Sequence, residues 1–159
     1  MARLIKGNRG AFLDMIGHTE GTVLIPGSDD GYNVICGSTP QHPILFSDYS
    51  KHPRIEEQIN SHLKSDAAGR YQLMGRFYLP YIKLLNLPDF SPASQDAIAL
   101  QQIKECRALP DVDAGNIIQA VSKCAHIWAS FPNAGYAQHE YKLTSLLALY
   151  KEAGGILIN

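Results

Sequence analysis

"DMIGHTEGT", residues 14–22, carries a helical segment into a Gly-Thr turn, and the acid at that junction is Glu20. Upstream, Phe12, Met15 and Ile16 recur at helical spacing, which predicts an amphipathic helix from about Asn8 to Thr19, stopped by Gly21. Downstream, from Gly21 to about Pro53, the composition turns to Gly, Pro, Ser, Asp and Tyr. Within it "GYNVICG" (31–37) and "ILFSDY" (44–49) read as short strands joined by "STPQHP" (38–43). Residues 21–53 are therefore expected to form a small, loop-rich β-subdomain.

Helical patterns resume after Pro53. "RIEEQINSHLK" (54–64) is amphipathic, and "GRYQLMGRFYLPYIKLL" (69–85) is helical on either side of Pro80, which should end or kink it. "SPASQDAIALQQIKEC" (91–106) opens with Ser91 as cap and Pro92 at the first helical position. "DAGNIIQAVSKCAHIWASF" (113–131) puts Ile117, Val121, Cys124 and Trp128 on one stripe, with Asp113 as its cap. "EYKLTSLLALYKEAGG" (140–155) ends in two glycines suited to a left-handed terminator. The expected architecture is α+β in a single domain over 1–159, with helical parts at 8–20 and 54–155.

The composition is that of a globular chain: 159 residues, 45% hydrophobic, 18% charged, net charge −1. That balance argues against bulk attraction to nucleic acid or anionic surfaces. No apolar run approaches the roughly 20 residues a transmembrane helix needs. The start "MARLIKGNRG" lacks the apolar stretch of a secretory signal, so the product is expected to stay in the cytoplasm after synthesis. Cys36, Cys106 and Cys124 show neither metal-type spacing nor an even disulfide framework and read as small buried thiols. A Cys106–Cys124 bridge would need two helices to meet. His18, His42, His52 and Cys36 match no zinc pattern, so no metal site is expected.

Three stretches carry the candidate chemistry. Glu20 at a helix C-terminus faces the negative end of the helix dipole, and apolar neighbours would desolvate it; both raise its pKa, as a general acid requires. In "DAAGRYQL" (66–73), Gly69 permits a left-handed turn, and Arg70, Tyr71 and Gln72 place a fork of donors, an aromatic ring and an amide side by side. Such groups suit a sugar. In "WASFPNAGYAQHE" (128–140), Pro132, Asn133 and Gly135 shape a loop that presents Tyr136 and Gln138. Each stretch also has a purely structural reading: a surface acid, a polar helix start and an ordinary interhelical connection.

Taken together, these stretches, with "AFLDMI", "FSDYSKHPR", "DFSPASQDAIALQQIKE", "IWASFPNAGY" and "KEAGG", resemble the lambda-type endolysins, phage lytic transglycosylases of the lysozyme-like superfamily. The resemblance runs from about Gly10 to Gly155. It implies a mainly helical lysozyme-like fold whose small β-subdomain flanks a glycan-binding groove. It also implies that Glu20, in its Glu-Gly-Thr setting, is catalytic. Gly69, Arg70, Tyr71 and Gln72 would shape the groove, Tyr136 would lie near the cleaved bond with Gln138 beside it, and Tyr32 would lie on the β side.

The implied reaction is cleavage of the β-1,4 bond between N-acetylmuramic acid and N-acetylglucosamine of peptidoglycan, forming a 1,6-anhydro sugar without cofactor or metal. The resemblance further implies a monomer with no stable membrane insertion, held in the host cytoplasm until a holin releases it to the periplasm and cell wall. Two departures stand out: Asn33 follows Tyr32 where relatives can carry aspartate, and the segment around "STPQHPIL" looks longer than in the lambda protein.

The rival readings are a hydrolytic muramidase of the same fold and a non-catalytic peptidoglycan-binding module. A hydrolase normally needs a second carboxylate. Asp48 reads instead as a turn residue, Asp66 as a loop or cap acid, and Asp96 as a first-turn helix acid.

Overall fold

The structure of the protein, a computed structural model, describes residues 5–132 and 141–158. In chain order it contains helix α1 (Gly7–Thr19), a 3-10 turn (Thr22–Leu24), strands β1 (Glu57–Asn60) and β2 (Leu63–Ser65), and helices α2 (Gly75–Leu85), α3 (Pro92–Glu105), α4 (Leu109–Ala114), α5 (Ile117–Cys124) and α6 (Leu143–Glu152). The class is α+β. Two compact units divide it: residues 21–98, and the N-terminal helix to Glu20 together with residues from Ala99 onward.

The 21–98 unit departs most from the sequence expectation. Its antiparallel hairpin pairs Glu57 with Ser65 and Asn60 with Leu63, inside the stretch expected to be a helix. Ile55, Ile59 and Leu63 do recur at helical spacing, but they remain 43%, 40% and 39% exposed, so no core holds that stripe as a helix. An eleven-residue segment without packing is marginal as a helix. Asn60 decides the outcome by accepting the His62 N–H on its side chain, the local bond that turns the chain back.

The strands expected within 21–53 shrink to single rungs. Val34 bridges Leu45, and Ile35 bridges Ala68. The Ile35 N–H still bonds Ile44 O at 2.9 Å and the Phe46 N–H bonds Asn33 O at 3.0 Å. Left-handed Gly31 and Gly37 at either end prevent the ladder from lengthening. The β content of this unit therefore lies at 57–65 rather than 21–53.

Helix α2 begins only at Gly75, whose N–H is capped by Asp66 Oδ1 at 3.0 Å. Residues 69–73 form a tight loop instead of its first turns. Pro80 sits inside α2 without ending it. Its ring lies on the exposed face, where water can take the carbonyl left without a donor. Phe90 anchors the core of this unit, 5.6 Å from the Tyr78 ring, 6.2 Å from Phe46 and 4.9 Å from His52.

In the other unit, α1 is buried around nearly its whole circumference: Ala11, Phe12, Leu13, Met15 and Ile16 have no exposed surface. The helix packs against α6 and α4 rather than showing a single apolar stripe. Arg9 clamps Asp113 through two hydrogen bonds of 2.7 and 2.9 Å. Asp113 thus belongs to α4 and is not the cap of the following helix. Gly115, at φ 80°, separates α4 from α5. Helix α5 buries Ile117, Ala120, Val121 and Cys124 and stops there, so Trp128 is buried beyond its end. Helix α6 closes at Gly154 and Gly155 as the two glycines suggested, with the Gly155 N–H bonded to Tyr150 O.

Candidate active site

Glu20 is the residue at which α1 ends. Its N–H bonds Ile16 O at 2.8 Å, and Gly21, at φ 77°, turns the chain away in a conformation costly for any side chain with a Cβ. The half-buried carboxyl stands at the helix's negative end. Burial raises its pKa to about 7; against this, Ser130 Oγ donates to Oε1 at 3.3 Å and pulls the value down. Ser130 is itself buried and follows the Trp128 turn. Behind it, Phe131 packs edge-on to Phe12 at 6.2 Å and tilts on Trp128 at 5.9 Å. An acid half-protonated near neutrality can deliver a proton and take one back.

The 21–98 unit holds the second group. Ala68 and Leu73 exchange both backbone hydrogen bonds at 3.0 Å and pinch off the loop Gly69–Gln72. Gly69 (φ 86°) and Gln72 (φ 53°) are both left-handed. A Cβ on Gly69 would collide with the Gln95 amide, whose Oε1 accepts the Arg70 N–H at 2.9 Å. Gln95 Nε2 in turn donates to Tyr32 O at 3.0 Å and Phe90 O at 2.9 Å. One buried amide from α3 therefore holds the loop.

The side chains of this loop turn inward. Arg70 is 2% exposed, Tyr71 5% and Tyr32 1%. Arg70 donates through Nε to Asp30 O at 3.0 Å and through Nη1 to the Tyr71 hydroxyl at 3.2 Å. Its guanidinium lies 5.3 Å from the Tyr32 ring centre and 5.6 Å from that of Tyr71. Both tyrosine hydroxyls donate to Asp96 Oδ1, Tyr32 at 2.8 Å and Tyr71 at 2.5 Å. Burial raises the pKa of both phenols, so they stay neutral donors. Gln72 is half-buried and donates to Gly69 O at 2.9 Å.

The structure thus brings Tyr32, Arg70 and Tyr71 together as a buried network, which corrects the picture of groups displayed side by side to a ligand. Asp96 lies in the second turn of α3, not the first, because Ser91 caps the helix and Pro92 opens it. Asp48 is a turn acid that accepts the Ser50 N–H at 2.8 Å. Asn33 uses its side-chain oxygen on the Asp29 N–H. Tyr136 and Gln138 lie outside the described residues. Sequence reasoning missed Ser130 and Gln95, since an isolated serine or glutamine carries no spacing signal. A separate open depression of about 590 Å³ is lined by Asn33, Leu45, Ser47, Asp48, Lys51 and Ile55.

A small-sheet α+β chain whose first helix delivers a half-buried glutamic acid is of the lysozyme class. The fold matches that of bacteriophage lambda lysozyme solved with a chitohexasaccharide, at a TM-score of 0.90 and 51% identity over 99% of this chain and 100% of that one. A second lambda lysozyme structure matches at a TM-score of 0.87. In sequence, the endolysin of Escherichia phage lambda is 53% identical over 153 residues, 95% of this chain and 94% of the relative. The endolysin of Escherichia phage P2 is 46% identical over 155 residues, covering 94% of each. The endolysin family model matches residues 10–157, and the chain belongs to that family.

Proposed function

We propose that this protein is a lytic transglycosylase that cleaves the β-1,4 MurNAc–GlcNAc bond of peptidoglycan and closes a 1,6-anhydro-MurNAc end. The carrying observation is Glu20: a half-buried acid with a pKa of about 7 at the end of α1. The lambda lysozyme solved with a chitohexasaccharide supports a glycan ligand for this fold.

In this reading, protonated Glu20 gives its proton to the glycosidic oxygen as the C1–O bond breaks and positive charge spreads over C1 and the ring oxygen. The resulting carboxylate removes the proton from the muramic C6 hydroxyl, and O6 bonds to C1. No water is consumed, and Glu20 ends protonated as it began. One acid suffices. Each acid weighed as a second carboxylate is committed elsewhere: Asp48 to the Ser50 turn, Asp66 to the α2 cap, Asp96 to two tyrosines. That favours the transglycosylase over the hydrolase.

Gln72, with its NH2 held by Gly69, offers its amide oxygen to a sugar acetamide. Tyr32, Arg70 and Tyr71 stiffen the loop that carries it; Tyr136 and Gln138, outside the described residues, remain the further candidates for binding the substrate. The protein acts as a monomer, waits in the host cytoplasm and reaches the wall when a holin opens the inner membrane.

Digestion of purified sacculi followed by mass spectrometry of the fragments tests the reaction. Anhydro-ended muropeptides without new reducing ends are expected. New reducing ends on the muramic sugar would establish the hydrolase, and binding without release of fragments would establish a module. Fractionation of host cells with and without a holin tests the route.

A further inference from the structure

Helix α2 serves the core of its own unit with one face only. Gly75 and Tyr78 are buried, and Tyr81, Ile82 and Leu85 pack against the core around Phe90. The other face carries Arg76, Leu79, Pro80 and Lys83 at positions i, i+3, i+4 and i+7, with Phe77 and Leu84 along one side. All of these are exposed. Leu84 is 63% exposed, Leu79 61% and Phe77 41%, so the apolar groups stand out as a ridge and do not wall a groove.

Charge separates this ridge from an ordinary surface. Helix α2 holds Arg76 and Lys83 and no acid. Neither cation forms an ion pair among the described residues, and the Arg76 guanidinium lies 4.7 Å from the Phe77 ring centre. Arg9, Lys64, Arg70 and Lys123, by contrast, each face a carboxylate. Cations left unneutralised among leucines and a phenylalanine suit a partner that is negative at its surface and apolar just beneath.

We propose that the outer face of α2 docks reversibly on an anionic phospholipid bilayer, with the helix lying in the plane of the interface. Lipid phosphates meet Arg76 and Lys83, while Phe77, Leu79 and Leu84 enter the headgroup–acyl boundary. The helix itself sets the depth. At 11 residues it is about 16 Å long, short of a hydrocarbon core of roughly 30 Å. No described helix is long and apolar enough to cross a membrane. Pro80 leaves the Arg76 carbonyl without its helical donor, and the hydrated headgroup layer supplies water to it where hydrocarbon would not. With a net charge of −1 the chain feels little long-range pull, so attachment rests on this face and weakens as salt screens it.

The test is co-sedimentation of the full chain, at low and high salt, with phosphatidylglycerol–phosphatidylcholine vesicles and with phosphatidylcholine vesicles alone. The expected result is binding to the anionic vesicles, release by added salt and little binding to the neutral ones. Arg76→Gln with Lys83→Gln should lower the partition constant by about tenfold or more, since each cation near the surface contributes about fivefold. Leu79→Ser with Leu84→Ser, which leaves the charge unchanged, should lower it by about fivefold or more. Lys151→Gln, at an exposed cation of α6, should bind like the parent. Circular dichroism checks that these surface variants keep the fold, and sedimentation without vesicles should show one species. Failure to bind anionic vesicles at low salt, equal binding to both vesicle types, or parent-level binding by either double variant would overturn the proposal. Self-association that the leucine variant abolishes would assign the ridge to a second copy of the chain instead. No wall substrate enters these readouts, so they stand apart from the test of the reaction.

Discussion

Glu20 and Asp96 are both carboxylic acids withdrawn from bulk water, and they teach opposite lessons. Into Asp96 two tyrosine hydroxyls donate, at 2.8 and 2.5 Å, and the same tyrosines pack on the Arg70 guanidinium. Into Glu20, among the described residues, one serine hydroxyl donates, at 3.3 Å. A buried acid that is fully partnered holds structure together. One that is desolvated and barely partnered holds its proton up to higher pH, as the proposed general acid needs. In the proposed reading, the number of hydrogen bonds, more than burial itself, separates the scaffold acid from the reactive one.

The sharpest way to break this contrast is Glu20→Gln. Removing the proton donor while preserving shape should lower the lytic rate on permeabilised cells by about 10²–10⁴-fold, with an unchanged circular dichroism spectrum. Wall clearance at the original rate would put the reactive group elsewhere. Asp96→Ala should do the reverse damage. Leaving two buried hydroxyls without their acceptor should cost about 2–4 kcal/mol in urea unfolding. A loss below about 0.5 kcal/mol would mean the network is not what holds the 69–73 loop.

A third expectation concerns pH. Because the Glu20 pKa is raised in the folded state, from 4.5 to about 7, the native protein holds the proton where the unfolded chain has lost it. Stability therefore falls as pH rises from 4.5 through about 7, and Glu20→Gln removes that loss. The variant should be about 1–3 kcal/mol more stable than the parent above about pH 8, with the difference vanishing below 4.5. Parallel urea curves across that range check it; equal stability at high pH would mean the carboxyl is well hydrated.

The smallest effect belongs to Ser130→Ala. Its hydroxyl favours the charged form of Glu20, so its loss should move the alkaline limb of the pH–rate profile upward by roughly a few tenths of a pH unit, with a rate change under about tenfold. A downward move would reverse the assigned role.

Much of the molecule was legible before any coordinates. The Ser91–Pro92 opening of α3 and the Gly154–Gly155 end of α6 are local signals, written in residues adjacent to the features they cause. Glu20 was legible for the same reason, since a helix stop and the acid before it lie within a few residues. The hairpin at 57–65 was not. Its isoleucines follow a helical period, and only the lack of a surface to bury them left the Asn60 turn in control. Likewise "RYQ" reads as a row of ligands until Gly69 and Gln72, both left-handed, fold its arginine and tyrosine inward.

The sequence alone thus determined the end of α1, the start of α3, the end of α6, the α+β class and the family, because caps, glycine stops and contiguous motifs act over a few residues. Tertiary structure decided which polar groups are spent on one another. Asp96 meets Tyr32 across 64 residues and Ser130 meets Glu20 across 110, and a hydrogen bond depends on distance in space, which no short-range pattern records.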